Sequence, residues 1–138
     1  MQRSTEVESV VHEMYDAMKR GDASGIAGLI ASDASVLMIG TDPDEWWSGR
    51  ERISEVFRTQ VEAMGGSIEL VGGDPEGYAV GDVGWFADRP AFKLQDGTEV
   101  PTRLTGAAIR ESGVWKLIQT HISVGVANEE AIGHELPT

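Results

Sequence analysis

Arg103 and His121 are the two side chains of this chain best suited to proton chemistry, and a hairpin is expected to bring them together. Pro101 to Val124 reads as two strands around a Glu111-Ser112-Gly113 loop. That loop sets Arg110 opposite Val114. It then pairs Ile109 with Trp115, Ala107 with Leu117, Thr105 with Gln119 and Arg103 with His121. Directly opposed side chains lie roughly 4.5–5.5 Å apart at Cβ. At that separation an imidazole can carry a proton while a guanidinium holds a carboxylate or stabilises a developing enolate. Pleating gives Thr105, Gln119 and Ser123 the same face, and it sends Arg110 and Lys116 outward. A structural alternative stays open, in which Arg103 pairs with a carboxylate and His121 hydrogen-bonds within the core or a dimer interface.

Asp88 is the third candidate, as general base or charge partner. A two-residue hairpin at Asp96-Gly97 turns Asp88 inward, opposite Thr105 and diagonal to Arg103. A bulge at Pro90 reverses that parity and turns Trp85 inward instead. Met38, Trp46 and Trp85 are expected to supply apolar walls. Of the adjacent indoles Trp46 and Trp47, one closes a pocket and the other packs on a strand or a partner subunit. Tyr15 borders an apolar helix face, where two roles stay open: a tyrosine packed in the core, the favoured one, or a hydroxyl that reaches a cavity. Asp42, Asp44 and Glu45 alternate loosely, but no glycine and distal glutamate complete a calcium loop. His12 and His134 have no spaced partners for zinc, and no Gly-x-Ser-x-Gly elbow or phosphate-cradling glycine loop is present. No metal and no cofactor is expected.

Helices must come first to position these residues. Thr5 with Glu8 makes a capping box, after which Val7, Val10, Val11, Met14 and Met18 mark one face and Lys19-Arg20-Gly21 a stop. A shorter helix after Asp22 carries Ile26, Leu29 and Ile30, weakened by Gly25 and Gly28. Ser35 to Ile39 reads as a strand, and Thr41 to Trp47 as a polar loop. Ser48 with Glu51 makes a second capping box, and Ile53, Val56, Phe57, Val61 and Met64 form a third helix ended by Gly65-Gly66. From Ser67 onward the chain reads as antiparallel strands, with turns at Asp74-Pro75-Glu76-Gly77, Asp96-Gly97 and Glu111-Ser112-Gly113. Gly81, Gly84 and Gly106 fall inside strands, where glycine marks a bulge or bend. The expected architecture is α+β, three helices packed on one face of a curved antiparallel sheet that can bend away to leave a cavity.

With 138 residues and no composition shift or repeat, residues 1–138 read as one domain, with 126–138 as a C-terminal tail. The formal net charge of −12 repels phosphate backbones and anionic lipid surfaces, so neither nucleic acid nor membrane is an expected partner. No apolar run approaches the roughly 18 residues of a membrane span. The absence of cysteine removes disulfides and thiol chemistry and suits a cytoplasmic protein.

Several segments resemble the SnoaL-like branch of the NTF2-like superfamily. They are Trp46-Trp47-Ser48-Gly49, Asp88-Arg89-Pro90, Arg103-Leu104-Thr105, Gly113-Val114-Trp115-Lys116-Leu117, Thr120-His121-Ile122-Ser123-Val124-Gly125 and the closing Val126-Ala127-Asn128-Glu129-Glu130. The resemblance runs from about Thr5 to Glu135. It implies a cone-shaped α+β domain, also called cystatin-like, with a pocket between helices and concave sheet and a homodimer formed through the sheet. The superfamily includes ketosteroid isomerases, polyketide cyclases, epoxide hydrolases, dehydratases and noncatalytic association domains. The Trp-Lys and His-x-Ser ending is also similar to the kinase association domains, although Gln119 stands where those have the first histidine of a His-x-His pair. The favoured function is a pocket for a small, partly apolar organic ligand. If chemistry occurs there, it is cofactor-free proton transfer (isomerisation, cyclisation, dehydration or hydrolysis) with His121 as shuttle, Arg103 stabilising negative charge and Asp88 assisting. The alternative is a noncatalytic association module that dimerises through outward Ile118, Ile122 and Val124.

Overall fold

The computed structural model describes residues 1–138, and its first helix shows how the sequence positions the cavity wall. After a short strand β1 (Gln2–Arg3), Ser4 caps α1 (Thr5–Arg20) by accepting a hydrogen bond from the Val7 amide at 3.2 Å. The cap therefore falls one residue before Thr5. Glu8 is drawn instead to Arg3 and to the Gly77 amide, which ties the helix to the sheet. Val7, Val10, Val11, Met14 and Met18 are buried as expected, along with Ala17. Gly21 ends the helix at φ 67°, and a Cβ there would lie 2.1 Å from the Gly66 carbonyl oxygen. Only glycine meets both demands.

Helix α2 (Ala23–Leu29) starts on Asp22, whose carboxylate accepts from the Gly25 amide at 2.9 Å. Two cations support its glycine-weakened end. Lys116 donates to the Gly28 carbonyl, and Arg50 donates to that of Ala27 at 2.9 Å. Strand β2 (Leu37–Ile39) follows, and the polar loop then closes into a strand β3 (Trp46–Ser48) that pairs with it. Because Ser48 is taken into that pairing, the expected Ser48–Glu51 capping box does not form. Helix α3 (Arg50–Ala63) begins instead at Gly49, in a φ of 88° that favours glycine.

The remaining strands are β4 (Glu69–Val71), β5 (Glu76–Val80), β6 (Val83–Asp88), β7 (Ala91–Lys93), β8 (Glu99–Pro101), β9 (Arg103–Glu111) and β10 (Val114–Ser123). They form two sheets rather than one. The larger has the order β1-β5-β6-β9-β10-β2-β3, and β4-β7-β8 make the smaller. The β10–β2 pair is parallel and the others are antiparallel. The class is α+β, as expected, with a mixed and mostly antiparallel sheet. A last short helix, α4 (Asn128–Ile132), is exposed throughout. No helix is long and apolar enough to cross a membrane.

The β9–β10 register differs from the expected one in two steps. Ser112 and Gly113, at φ 50° and 79°, form a two-residue turn, so Glu111 rather than Arg110 faces Val114. Positive φ at both turn positions matches the twist of the flanking strands, which favours this shorter turn. Glu111 is then free to accept hydrogen bonds from Ser32 at 3.1 Å. The second step is a bulge between Leu117 and Gln119, after which Ala107 faces Gln119, Gly106 faces Thr120 and Thr105 faces His121. Ile118 is the extra residue. Trp115 and Leu117 point into the core before the bulge; Thr120 and Ile122 point inward after it, and Gln119, His121 and Ser123 point outward.

Candidate functional site

The bulge matters because it turns the end of β10 into one wall of a cavity of about 400 Å³. Met14 and Met18 of α1 and Phe57, Gln60 and Ala63 of α3 cover it from the helical side. Met38 of β2, Trp47 of β3, Leu104 of β9, Thr120 and Ile122 of β10, and Val124 form the wall of the large sheet. Leu70 of β4, Phe92 of β7 and Val100 of β8 close it from the small sheet. Fifteen of its twenty-one lining residues are hydrophobic. A volume of this size is that of an ordinary small-molecule site, where a mostly apolar lining carries a few oriented polar groups.

Three of the polar lining residues, Thr41, Glu45 and Gln60, meet at one place, while Thr102 and Thr120 stand apart from them. Glu45 is the only ionisable residue in the lining. Its Oε1 accepts from the Asp42 amide at 2.8 Å and the Thr41 hydroxyl at 3.4 Å. Its Oε2 accepts from the Gln60 amide nitrogen at 3.0 Å, a bond that reaches across to α3. Backbone bonds from Gly40 to the Glu45 carbonyl and from Glu45 to the Asp42 carbonyl fix the loop beneath. A Cβ on Gly40 would lie 2.9 Å from the Glu45 side chain, so the fold-back of the carboxylate needs glycine there. Asp42, Asp44 and Glu45 form no three-carboxylate group able to hold a metal.

Of the residues singled out from the sequence, Met38 lines the cavity. Trp47, opposite Met38 in the β2–β3 pair, lines it too, whereas Trp46 points to the other face and is 63% exposed. The two indoles thus divide as expected but with the roles exchanged. Arg103 and His121 are not directly opposed. Arg103 faces Ser123 and donates to its hydroxyl at 3.3 Å, and His121 faces Thr105. All four, with Gln119, lie on the outer face of the large sheet, because the bulge reverses the parity of β10 and β9 buries Leu104 and Ala108 instead. Ile122 and Val124, expected outward, line the cavity. Arg110 shares a face with Trp115 and stacks over its ring at 4.8 Å, which leaves Lys116 to reach α2.

Asp88 is buried and inward and Trp85 is outward, in neither of the two expected registers, because β6 is aligned one residue along and the inward residues of β9 are Leu104 and Ala108. The partner of Asp88 in β9 is Leu104, not Thr105. The Asp88 carboxylate accepts three hydrogen bonds, from the Tyr15 hydroxyl at 2.6 Å, the Asp74 amide at 2.9 Å and the Arg89 amide at 2.7 Å. Burial, and then the hydrogen bond and charge of Asp88, hold the Tyr15 hydroxyl far above the usual phenol range. Tyr15 is therefore a permanent donor, and its hydroxyl is spent on Asp88 rather than offered to the cavity. Gly73 is part of this unit, since a Cβ there would meet Asp88 Oδ2 at 2.4 Å.

Gln60, the methionines Met14, Met18 and Met64 and the aromatics Phe57 and Phe92 were not singled out from the sequence as a site, and Glu45 was weighed only as a metal ligand. Gln60 carried a signal, being a polar residue placed between Phe57 and Met64 on the stripe that α3 buries.

The geometry is that of an α+β domain with a mostly apolar cavity between its helices and its two sheets. The family model described as SnoaL-like domain matches residues 7–127, and the chain belongs to that family. Among solved structures, an NTF2-like protein of unknown function from Pseudomonas putida KT2440 is similar at 18% identity and a TM-score of 0.77, over 94% of each chain. A candidate calcium/calmodulin-dependent protein kinase type II association domain from Thiobacillus denitrificans is similar at 19% identity and a TM-score of 0.73, over 86% of this chain and 94% of that one. A candidate dehydratase of the NTF2-like family from Streptomyces avermitilis is similar at 19% identity and a TM-score of 0.74, over 89% of this chain and 96% of that one. At these identities the likeness is one of fold. Comparison with curated proteins gave no match.

Proposed function

We propose that this chain binds a small, largely apolar organic molecule in the cavity between α1, α3 and the two sheets, and that it does so as a homodimer. The cavity itself carries the reading: about 400 Å³, walled mostly by hydrophobic side chains, with a hydrogen-bonded Glu45–Gln60 pair in its lining. Four methionines, Met14, Met18, Met38 and Met64, contribute to the lining. Thioether side chains adapt their shape, which suits a ligand of irregular outline. Binding is favoured over proton-transfer chemistry because Arg103 and His121 lie on the far side of the sheet and Asp88 is fully engaged with Tyr15 and two amides. The test is calorimetric titration with naphthalenemethanol, a neutral bicyclic probe. Saturable one-to-one binding is expected, weakened at least about tenfold by Ala63→Trp, which sets an indole at the cavity. Absence of saturable binding, or binding unchanged in Ala63→Trp, overturns the reading.

The dimer rests on a separate observation. The outer face of the large sheet exposes Trp46 at 63%, Val83 at 53% and Trp85 at 41%, and Trp85 stacks on Tyr78 with ring centroids 4.8 Å apart. Between these aromatic flanks lie Ala107, Thr105, Gln119 and His121, small or polar residues against which a second sheet can pack. Exposed aromatic residues such as these are enriched in protein interfaces relative to the rest of a surface. In this reading His121 is an interface residue, one of the places the structural alternative gave it, and Arg103, which that alternative paired with a carboxylate, lies beside it bonded to Ser123. Trp85→Glu is expected to convert a dimer to a folded monomer in light scattering. A monomeric unsubstituted protein, or a dimer that survives Trp85→Glu unchanged, contradicts it.

A further inference from the structure

We infer that the cavity selects a cationic ligand: an apolar body bearing a protonated or quaternary nitrogen, seated with that nitrogen against Glu45. The inference rests on the cavity being the ligand site and adds the chemical class of the occupant. Its basis is the asymmetry of charge in the lining. Glu45 is the one ionisable residue there, and no lysine, arginine or histidine accompanies it. None of the ion pairs in the protein involves Glu45, so its charge has no cation within the chain.

The carboxylate is also held in a fixed position. A carboxylate offers about four acceptor positions. The Asp42 amide, the Thr41 hydroxyl and the Gln60 amide nitrogen take three of them, which fixes the group and leaves one direction for a ligand. Glu45 is half-buried beside an apolar lining, so a cation gains by its field there and an anion loses, by an amount that solvent screening reduces. Three aromatic rings, Trp47, Phe57 and Phe92, share the lining, and ring faces attract ammonium groups in the same sense. The net charge of −12 acts over longer range in the same direction.

Three probes of one shape separate the possibilities: naphthylmethylamine, naphthalenemethanol and naphthoate, titrated calorimetrically at neutral pH and moderate salt. The amine is expected to bind at least about tenfold more tightly than the alcohol, and the naphthoate more weakly than either. Glu45→Gln keeps the shape of the wall, with the Gln60 amide turned so that its oxygen accepts from the new amide, and it should reduce the amine's advantage over the alcohol to within about threefold. Asp44→Asn is the control. Asp44 is exposed in the same loop and outside the lining, and its replacement changes net charge by the same amount, so the amine preference should remain. If the alcohol or naphthoate binds as well as the amine, or if Glu45→Gln leaves the preference intact, the inference fails while the cavity reading stands. If none of the three probes binds, the cavity reading itself fails and takes the inference with it.

Discussion

Gly106→Val is expected to cost about 3 kcal/mol or more of folding stability and to lower the melting temperature by roughly 10 °C. An ideal Cβ at Gly106 would stand 2.3 Å from the Gln119 carbonyl oxygen and 2.4 Å from Phe86 Cζ. The first contact is backbone of the neighbouring strand, at the residue where the register shifts, and the second is a ring only 1% exposed. Neither can move without disturbing the bulge or the core. Even Gly106→Ala should be strongly destabilising, and shortening Phe86 to leucine in the same chain should recover part of the loss by relieving the ring contact. Thermal unfolding of the single and double variants measures both effects. A Gly106→Val protein as stable as the unsubstituted one would show that β9 and β10 do not approach in this register.

The second large effect is expected at Asp88. Asp88→Ala removes the acceptor for the Tyr15 hydroxyl and for the Asp74 and Arg89 amides. A buried donor left without a partner costs about 1–3 kcal/mol, and the amides are only partly buried, so a total of about 2–4 kcal/mol follows. Tyr15→Phe should cost less, because only one of the three bonds is lost. The pair also has a pH signature. Tyr15 has its hydroxyl pKa raised on folding, first by burial and then by Asp88, so above the ordinary value of 10.0 the unfolded chain gives up this proton while the folded chain keeps it. Stability that is complete below that value is therefore lost as pH rises above it, and Tyr15→Phe lacks this portion of the loss. Urea titrations of both variants at neutral and alkaline pH measure the two effects. Naphthalenemethanol affinity in still-folded Asp88→Ala should be little changed, because Asp88 does not line the cavity.

The helices were legible because their signals are local. The apolar stripes from Val7 to Met18 and from Ile53 to Met64 each need only neighbouring residues to be read. Hairpin register is different, since one residue of slip changes which side chains face each other and a bulge exchanges the faces. A three-residue loop gave the expected pairs, and the two-residue Ser112-Gly113 turn and the bulge at Ile118 moved them. The strand did hold a clue. Trp115 and Leu117 fit one parity, Ile122 and Val124 the other, so both sets can face inward only if a residue between them is extra. Gly106, noted as a bend, sits opposite Thr120 just beyond that point. The Arg103–His121 site lay on the assumption of unbroken parity, and so it fell on the outer face.

The cavity's polar end was harder to see for another reason. Glu45 and Gln60 are fifteen positions apart, and they meet only because β3 pairs with β2 and returns the chain to α3. As sequence, Glu45 is one more acidic residue in an acidic loop. The fold makes it the sole charge of an apolar cavity.

The cavity as a ligand site is most directly tested through the methionines. Five are present, and four of them, Met14, Met18, Met38 and Met64, line the cavity, while Met1 is 63% exposed. In protein labelled with carbon-13 at the methionine methyls, titration with naphthalenemethanol should shift the resonances of those four along one saturating curve and leave Met1 in place. Resonances that stay fixed at every probe concentration, or a response confined to Met1, would contradict the account.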